Sequence, residues 1–310
     1  MNRRYKLADG KLVGTEDPAA NVIVCIAPED AERQWLLNDL KIDEHTLNSA
    51  LDPDELSRIE FEPEHMAFIF KRPKNYCSAD NFIFSVESTG VFLFKDRLIV
   101  VARSDYAVFE GRVFSKMTSL TDVALKLLFS SVSHFMGHLR AITDIASELE
   151  KLINRSMENK YLLNMFSLEK SLVYYINAIS ANTKLIERLK SSAAKLSLAQ
   201  ASVELLDDMT IDNNQCYEHA STYSQVLSSL MDARASIVSN NLNVMMKNLN
   251  AIVIAVAIPS FFAGVGGMSE FSAVTGIRHW YVAYPLFVSV MLLMGAVTFY
   301  AIRQCERRWK

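Results

Sequence analysis

Apolar residues along this chain follow three successive rhythms. In the first hundred residues they come as short β-branched and aromatic runs, 21-NVIVCIA-27, 66-MAFIFKR-72, 81-NFIFSV-86, 91-VFLFKD-96 and 98-LIVVA-102, which predict strands. Residues 30–51 carry helical spacing among them, so an α/β domain is expected up to about residue 112. From Thr118 the apolar positions recur at three and four, as in Leu120, Val123, Ala124, Leu127 and Leu128, and later Leu205, Tyr217, Tyr223, Leu227 and Leu230. Breakers are missing over the same stretch. Pro18, Pro28, Pro53, Pro63 and Pro73 all lie early, the next proline is Pro259, and Gly137 is the only glycine between Gly111 and Gly264. Long helices follow from that. A last helix running unbroken from about residue 199 to Met268 would rise about 100 Å, more than any bilayer, so it would begin in water and finish in lipid.

The third rhythm is the absence of charge. Residues 248–269 and 280–302 hold no charged side chain, and each meets the length of about 20 residues needed to cross a bilayer. Arg303, Arg307, Arg308 and Lys310 follow the second segment directly. Short basic flanks stay cytoplasmic, which places both termini in the cytosol and the short connection outside. Trp280, Tyr281 and Tyr284 suit an outer interfacial anchor and Trp309 an inner one. The expected organisation is a cytosolic α/β domain at 1–112, a cytosolic helical section at 113–198, a stalk helix at 199–247, a first span at 248–269, an outer loop at 270–279, a second span at 280–302 and a basic tail at 303–310.

Composition changes this picture little. Of 310 residues, 50% are hydrophobic and 22% charged, with a mean hydropathy of +0.12; the excess must be local. Cys25, Cys77, Cys216 and Cys305 are widely spaced, which excludes a disulfide framework or a CxxC metal motif and fits a reducing compartment. The opening MNRRYKLADG has no apolar run behind its basic residues, so no secretory signal is expected. Acids exceed bases before residue 247, whereas residues 247–310 carry six Lys/Arg against two acids. Nucleic acid is therefore not an expected partner, and membrane lipid is.

Candidate chemistry concentrates on the first span. Alternating steps of three and four from Asn243 reach Met246, Asn250, Val253, Ala257, Ser260, Gly264 and Gly267, a face of amides, one hydroxyl and small side chains, while Ile252, Ile254, Ile258, Phe261 and Phe262 take the other faces. Polar groups at membrane depth turn toward protein or a water-filled path. The same small residues would also let two transmembrane helices pack closely with no path at all. A path would need several copies of the chain, because one helix encloses nothing. At the outer end, 264-GVGGMSE-270 offers backbone carbonyls, a serine hydroxyl and Glu270, oxygen donors that suit hard cations. With no carboxylate along the stripe, a magnesium ion would pass with its water shell retained.

At these residues the chain resembles the CorA family of divalent cation transporters. The stretch 239-SNNLNVMMKNLNAIVIAVAIPSFFAGVGGMSEF-271 is similar to that family's stalk-to-pore sequence, and 56-LSRIEFEPEHMAFIFKR-72 and 91-VFLFKDRLIVVA-102 resemble its strand pairs. The resemblance implies an α+β cytosolic domain built as an α/β/α sandwich, a long stalk helix and two C-terminal transmembrane helices in a homopentamer of a bacterial-type inner membrane. It further implies that Asn243, Met246, Asn250, Val253, Ala257, Ser260 and Gly264 face the axis, that apolar rings at Met246, Leu249 or Val253 gate the pore, and that Gly267, Met268, Ser269 and Glu270 form the outer filter. The family's signature there is Gly-Met-Asn, and Ser269 stands in the asparagine's place. The family also senses cytosolic cations through carboxylates between subunits, a role for which Asp207, Asp208 and Asp212 are the candidates. The cation, Mg2+ or Zn2+ with Co2+ and Ni2+ as alternates, is substrate and regulator, and no covalently bound cofactor is implied. A non-conducting membrane-anchored sensor or scaffold of the same fold is the rival expectation.

Other constellations point to no enzyme. His134 and His138 have the spacing of a two-imidazole zinc pair on a helix, but Phe-Met-Gly between them lacks the glutamate of a metalloprotease helix, and a structural role is expected. Cys216, Glu218 and His219 are close in sequence but diverge on a helix. No phosphate-binding glycine loop, GxSxG or recognisable acid–base pair occurs in the sequence.

Overall fold

The computed structural model describes residues 2–17, 19–77, 82–155, 159–266 and 280–308. They form two compact units, Met1–Met231 and Asp232–Lys310.

The first unit is built on a seven-stranded sheet of order β2-β1-β3-β7-β6-β5-β4. Its strands are β1 (Asn2–Ala8), β2 (Lys11–Gly14), β3 (Val22–Ile26), β4 (Arg58–Phe61), β5 (His65–Pro73), β6 (Val86–Phe94) and β7 (Leu98–Ala102). Only the central pair β3/β7 is parallel. Every residue of these two strands is buried, as their unbroken apolar runs require when both faces of a strand are covered. Alternate residues serve different layers. Val22, Val24, Leu98 and Val100 point toward helices α3 (Leu120–Arg155), α4 (Asn159–Ser191) and the start of α5 (Gln200–Gly266). Ile23, Cys25, Ile99 and Val101 point to the other side, against Leu36 and Leu40 of the π-helical turn that follows α1 (Asp30–Gln34) and Leu47 and Ala50 of α2 (Glu44–Leu51). This is the α/β/α sandwich expected above.

Close approach fixes the thinner layer. A Cβ added at Gly90 on β6 would run into Ala50 Cβ, so α2 lies directly on the sheet there. The thicker layer is tied by polar bonds at its buried edge. Lys71 on β5 lies beyond Arg58, the first residue of β4, and so has no strand partner on that side; the fully buried Asn182 of α4 takes its place. Lys71 N–H donates to Asn182 Oδ1 at 2.9 Å, and Asn182 Nδ2 donates to Lys71 O at 2.8 Å. A buried backbone pair left unsatisfied would cost about 1–3 kcal/mol per group.

The structure departs from two sequence expectations. Residues 82–85 are not strand: Phe82 takes a left-handed φ of 65° and Phe84 N–H donates to Ser171 Oγ on α4 at 2.9 Å. Phe84 of that run packs on helices, against His138 of α3 and Tyr175 of α4, so the strand starts only at Val86. The chain opening, given no structure from its pattern, is a hairpin whose two turn residues Asp9 and Gly10 both have positive φ.

The second unit holds the end of α5 and α6 (Trp280–Arg308). Both contain windows of 18 residues apolar enough to cross a membrane. Their large apolar side chains, among them Ile252, Phe261, Phe262, Leu286 and Leu292, are exposed. In water such a surface would be an aggregation liability; on two helices of spanning length it is a surface for lipid.

Candidate functional site: the polar face of the first span

Two rows of small residues run along α5 between residues 243 and 264, and the second helix separates their roles. Ala251 and Ala255 are buried, at 4% and 8% exposure. Pro259 continues their row. A Cβ at Gly295 of α6 would sit 3.2 Å from Ala255 O and 3.4 Å from Pro259 Cγ. Proline has no N–H to give to the carbonyl four residues back, which here is Ala255 O. Gly295 lets α6 come close to that freed carbonyl, so the row Ala251–Ala255–Pro259 is the helix–helix seam.

The polar row lies elsewhere. Asn243, Met246, Asn250, Val253, Ala257, Ser260 and Gly264 are all exposed, and so is Leu249. A Cβ at Gly264 would meet nothing. At about 100° per residue this row lies on the side of α5 opposite the seam. Ser260 Oγ donates to Val256 O at 2.8 Å; with its proton committed to the backbone, the hydroxyl presents lone pairs outward. Beside it, an apolar groove of 490 Å³ between the two helices is lined by Val256, Pro259, Phe287 and Met291. The filter candidates Gly267, Met268, Ser269 and Glu270 lie outside the described residues, as do Trp309 and the loop 270–279.

The acidic candidates are not gathered into one site. Asp207 forms an ion pair with Lys190 of α4. Asp208 is exposed and Asp212 partly so; four apart, they share one face of α5. Among the described residues no group of three or more His, Cys, Asp or Glu side chains could hold a metal ion. Cys216 is buried, its Sγ directed at Val132 O at 3.7 Å, and burial pushes its thiol up to about 12, whereas Glu218 is exposed and His219 packs edge-on to Tyr223. These three form no site. His134 and His138 do come together on α3, their Nε2 atoms 3.0 Å apart.

Sequence reasoning missed one buried charged cluster. Arg72 is 3% exposed; its Nη2 donates to Glu87 Oε2 at 2.7 Å and to Ser104 Oγ at 2.9 Å, and its guanidinium lies 3.7 Å from the centre of the Tyr106 ring. The signal was the charged pair Lys71-Arg72 at the end of an apolar strand.

Comparisons with known proteins bear on the family and the fold. The profile of the family described as CorA-like Mg2+ transporter protein matches residues 22–304. The cobalt/magnesium transport protein CorA of Methanocaldococcus jannaschii is 24% identical over 270 residues, covering 83% of this chain and 82% of the relative. Among solved structures, the complete CorA magnesium transporter from Methanocaldococcus jannaschii superposes with a TM-score of 0.75 at 20% identity over 99% of this chain and 98% of that one. The full-length CmaX protein gives 0.68 at 14% identity over 97% of both chains. The cytoplasmic domain of ZntB from Vibrio parahaemolyticus gives 0.59 at 14% identity, covering 77% of this chain and 98% of that domain. At these identities the structural likenesses establish the fold. The family profile, spanning nearly the whole chain, establishes descent: this protein belongs to the CorA-like Mg2+ transporter family.

Proposed function

We propose that this chain conducts divalent cations through a homopentamer in which each copy turns the Asn250 face of α5 toward a common axis. One observation carries the reading: the row with neutral oxygens and small side chains is exposed, while a separate row, Ala251–Ala255–Pro259, makes the contact with α6. The close-packing alternative accounts for the second row and leaves unexplained why the first, among the described residues, is exposed. Asn243 and Asn250 amides and the Ser260 hydroxyl offer oxygens to the water shell of a passing ion, which suits Mg2+ because it sheds water reluctantly. Co2+, Ni2+ and Zn2+ fit the same path as alternates. Met246, Leu249 and Val253 would close it as apolar rings by dewetting, and Gly267, Met268, Ser269 and Glu270 would capture the hydrated ion at the outer end.

With both termini in the cytosol of a bacterial-type inner membrane, entry needs no nucleotide. Each charge moved across 100 mV releases about 2.3 kcal/mol, so a divalent ion gains roughly twice that. Asp208, with Asp207 and Asp212, would sense cytosolic cation across a subunit boundary. The substitution of Ser269 for asparagine favours one rival, an anchored sensor or scaffold that has lost conduction. Flux into liposomes containing the purified chain separates the two: uptake of Mg2+ under an inside-negative potential is expected, and no uptake of Mg2+, Co2+, Ni2+ or Zn2+ would defeat the pore.

A further inference from the structure

The first unit contains a histidine pair that the transport reading does not use. His134 and His138 stand on consecutive turns of α3 with Nε2 atoms 3.0 Å apart. His138 Nδ1 lies 2.7 Å from the Tyr175 hydroxyl on α4, and its ring is stacked on Tyr175 and edge-on to Phe84. Both histidines are half-buried. His134 forms part of the wall of a 190 Å³ cavity together with Arg72, Asn75, Tyr106 and Ser130.

We propose that His134 and His138 form a binding site for a borderline transition metal, such as Zn2+, Ni2+ or Cu2+, separate from the transport path. Two imidazole nitrogens, each about 2.0–2.1 Å from a tetrahedral zinc, lie roughly 3.3 Å apart, so the observed pair needs to open by only a few tenths of an ångström. Spacing of four on a helix holds both rings on one face. Tyr175 supplies the outer contact: when His138 Nδ1–H donates to the Tyr175 oxygen, the Nε2 lone pair is free for the metal. A neutral imidazole makes this change by moving its proton from Nε2 to Nδ1, so no proton is released. Burial lowers the pKa of both rings, with the Arg72 charge adding at His134 and the His134 charge adding at His138, so both stay neutral and ready to ligate at neutral pH. The Arg72 charge is itself countered by Glu87. The cavity beside His134 leaves room for water to complete the coordination. Imidazole discriminates against Mg2+, which takes oxygen ligands, so this site would read transition metals in a chain whose path suits hard cations.

The test uses the full-length chain in detergent, without a histidine tag, and Cu2+ alone as the probe. Electron paramagnetic resonance is expected to show coupling to two imidazole nitrogens, saturating at one Cu2+ per chain, unaffected by excess Mg2+ and lost in His134→Gln and in His138→Gln. No nitrogen-coupled signal in the unmodified chain, or the same signal in both variants, overturns the proposal. A second readout needs no variant: Zn2+, but not Mg2+, is expected to protect His134 and His138 from diethyl pyrocarbonate, and equal labelling with and without Zn2+ would contradict it.

Discussion

The two units use the same apolar residue types in opposite ways. In the first, Phe68 and Phe92 are 1% and 0% exposed; in the second, Phe261 and Leu292 are 68% and 71% exposed. Burial in the first unit follows from the hydrophobic effect in water and is accompanied by paired polar groups, such as Asn182 on the Lys71 backbone. In the second, apolar exposure carries no such penalty once lipid is the solvent, and what must be hidden is polarity. That inversion is why Asn250 and Ser260, exposed among exposed leucines and phenylalanines, are the residues to explain. Helix α5 shows the contrast on a single element: its seam row is small so that α6 can approach, and its opposite row is small, polar and exposed, with Ser260 at the edge of the groove beside α6.

The comparison can be broken most sharply on that polar row. Under the proposed pore, Ala257→Arg puts a fixed positive charge from every copy in the cation's way and should lower divalent flux by at least about tenfold with assembly unchanged; undiminished flux in liposomes would remove this face from the path. On the seam row the effect should be on packing. Gly295→Leu drives a side chain into Ala255 O and Pro259 and should destabilise the helix pair by about 1–3 kcal/mol, seen as a lower melting temperature in detergent.

In the first unit, Asn182→Ala leaves the Lys71 N–H without its side-chain partner, while Lys71 O keeps the Ser131 hydroxyl at 2.7 Å, and should cost about 1–3 kcal/mol, checked by thermal melting of the full chain. A smaller, opposite change is expected at the outer end: Ser269→Asn should raise Mg2+ flux a few fold, and an unchanged rate would mean that capture occurs elsewhere.

A pH dependence is expected at His138. Burial, with the His134 charge adding to it, lowers the His138 pKa from 6.5 to about 4. The folded state therefore binds fewer protons than the unfolded one between those values. The contribution of His138 to stability is present above pH 6.5 and is lost as pH falls toward 4. In His138→Gln the melting temperature should vary less with pH across that window than in the unmodified chain.

Much of this was legible in the sequence because it rests on local pattern. Strands β3 and β7 are unbroken apolar runs and β5 holds one at residues 66–70, and the glycine-poor stretch became three long helices. The hairpin at the start was hidden because Arg3, Tyr5 and Leu7, the half-buried side of β1, mix charge with apolar character and alternate with exposed Asn2, Arg4 and Lys6, leaving the Asp9-Gly10 turn as the signal. The run 82–85 was misread because aromatic residues suit a sheet or a helix interface equally well until tertiary contacts choose. Which small-residue row of α5 meets the second span was beyond any single-helix pattern, since both rows read as small and only Gly295 distinguishes them. The histidine pair was visible from its spacing, but its partner Tyr175, 37 positions away, was not.

The central claim is that the Asn250 face of α5 meets water while the seam does not, and cysteine accessibility tests it most directly. In a chain whose exposed Cys77 and Cys305 are replaced by serine, single cysteines are placed at Asn250, Ala251, Ala257 and Ile252 and treated in liposomes with a cationic methanethiosulfonate reagent. Asn250→Cys and Ala257→Cys are expected to react and lose cation flux, with Ala251→Cys and Ile252→Cys unreactive. Reaction at Ala251→Cys with silence at Asn250→Cys and Ala257→Cys would contradict the account.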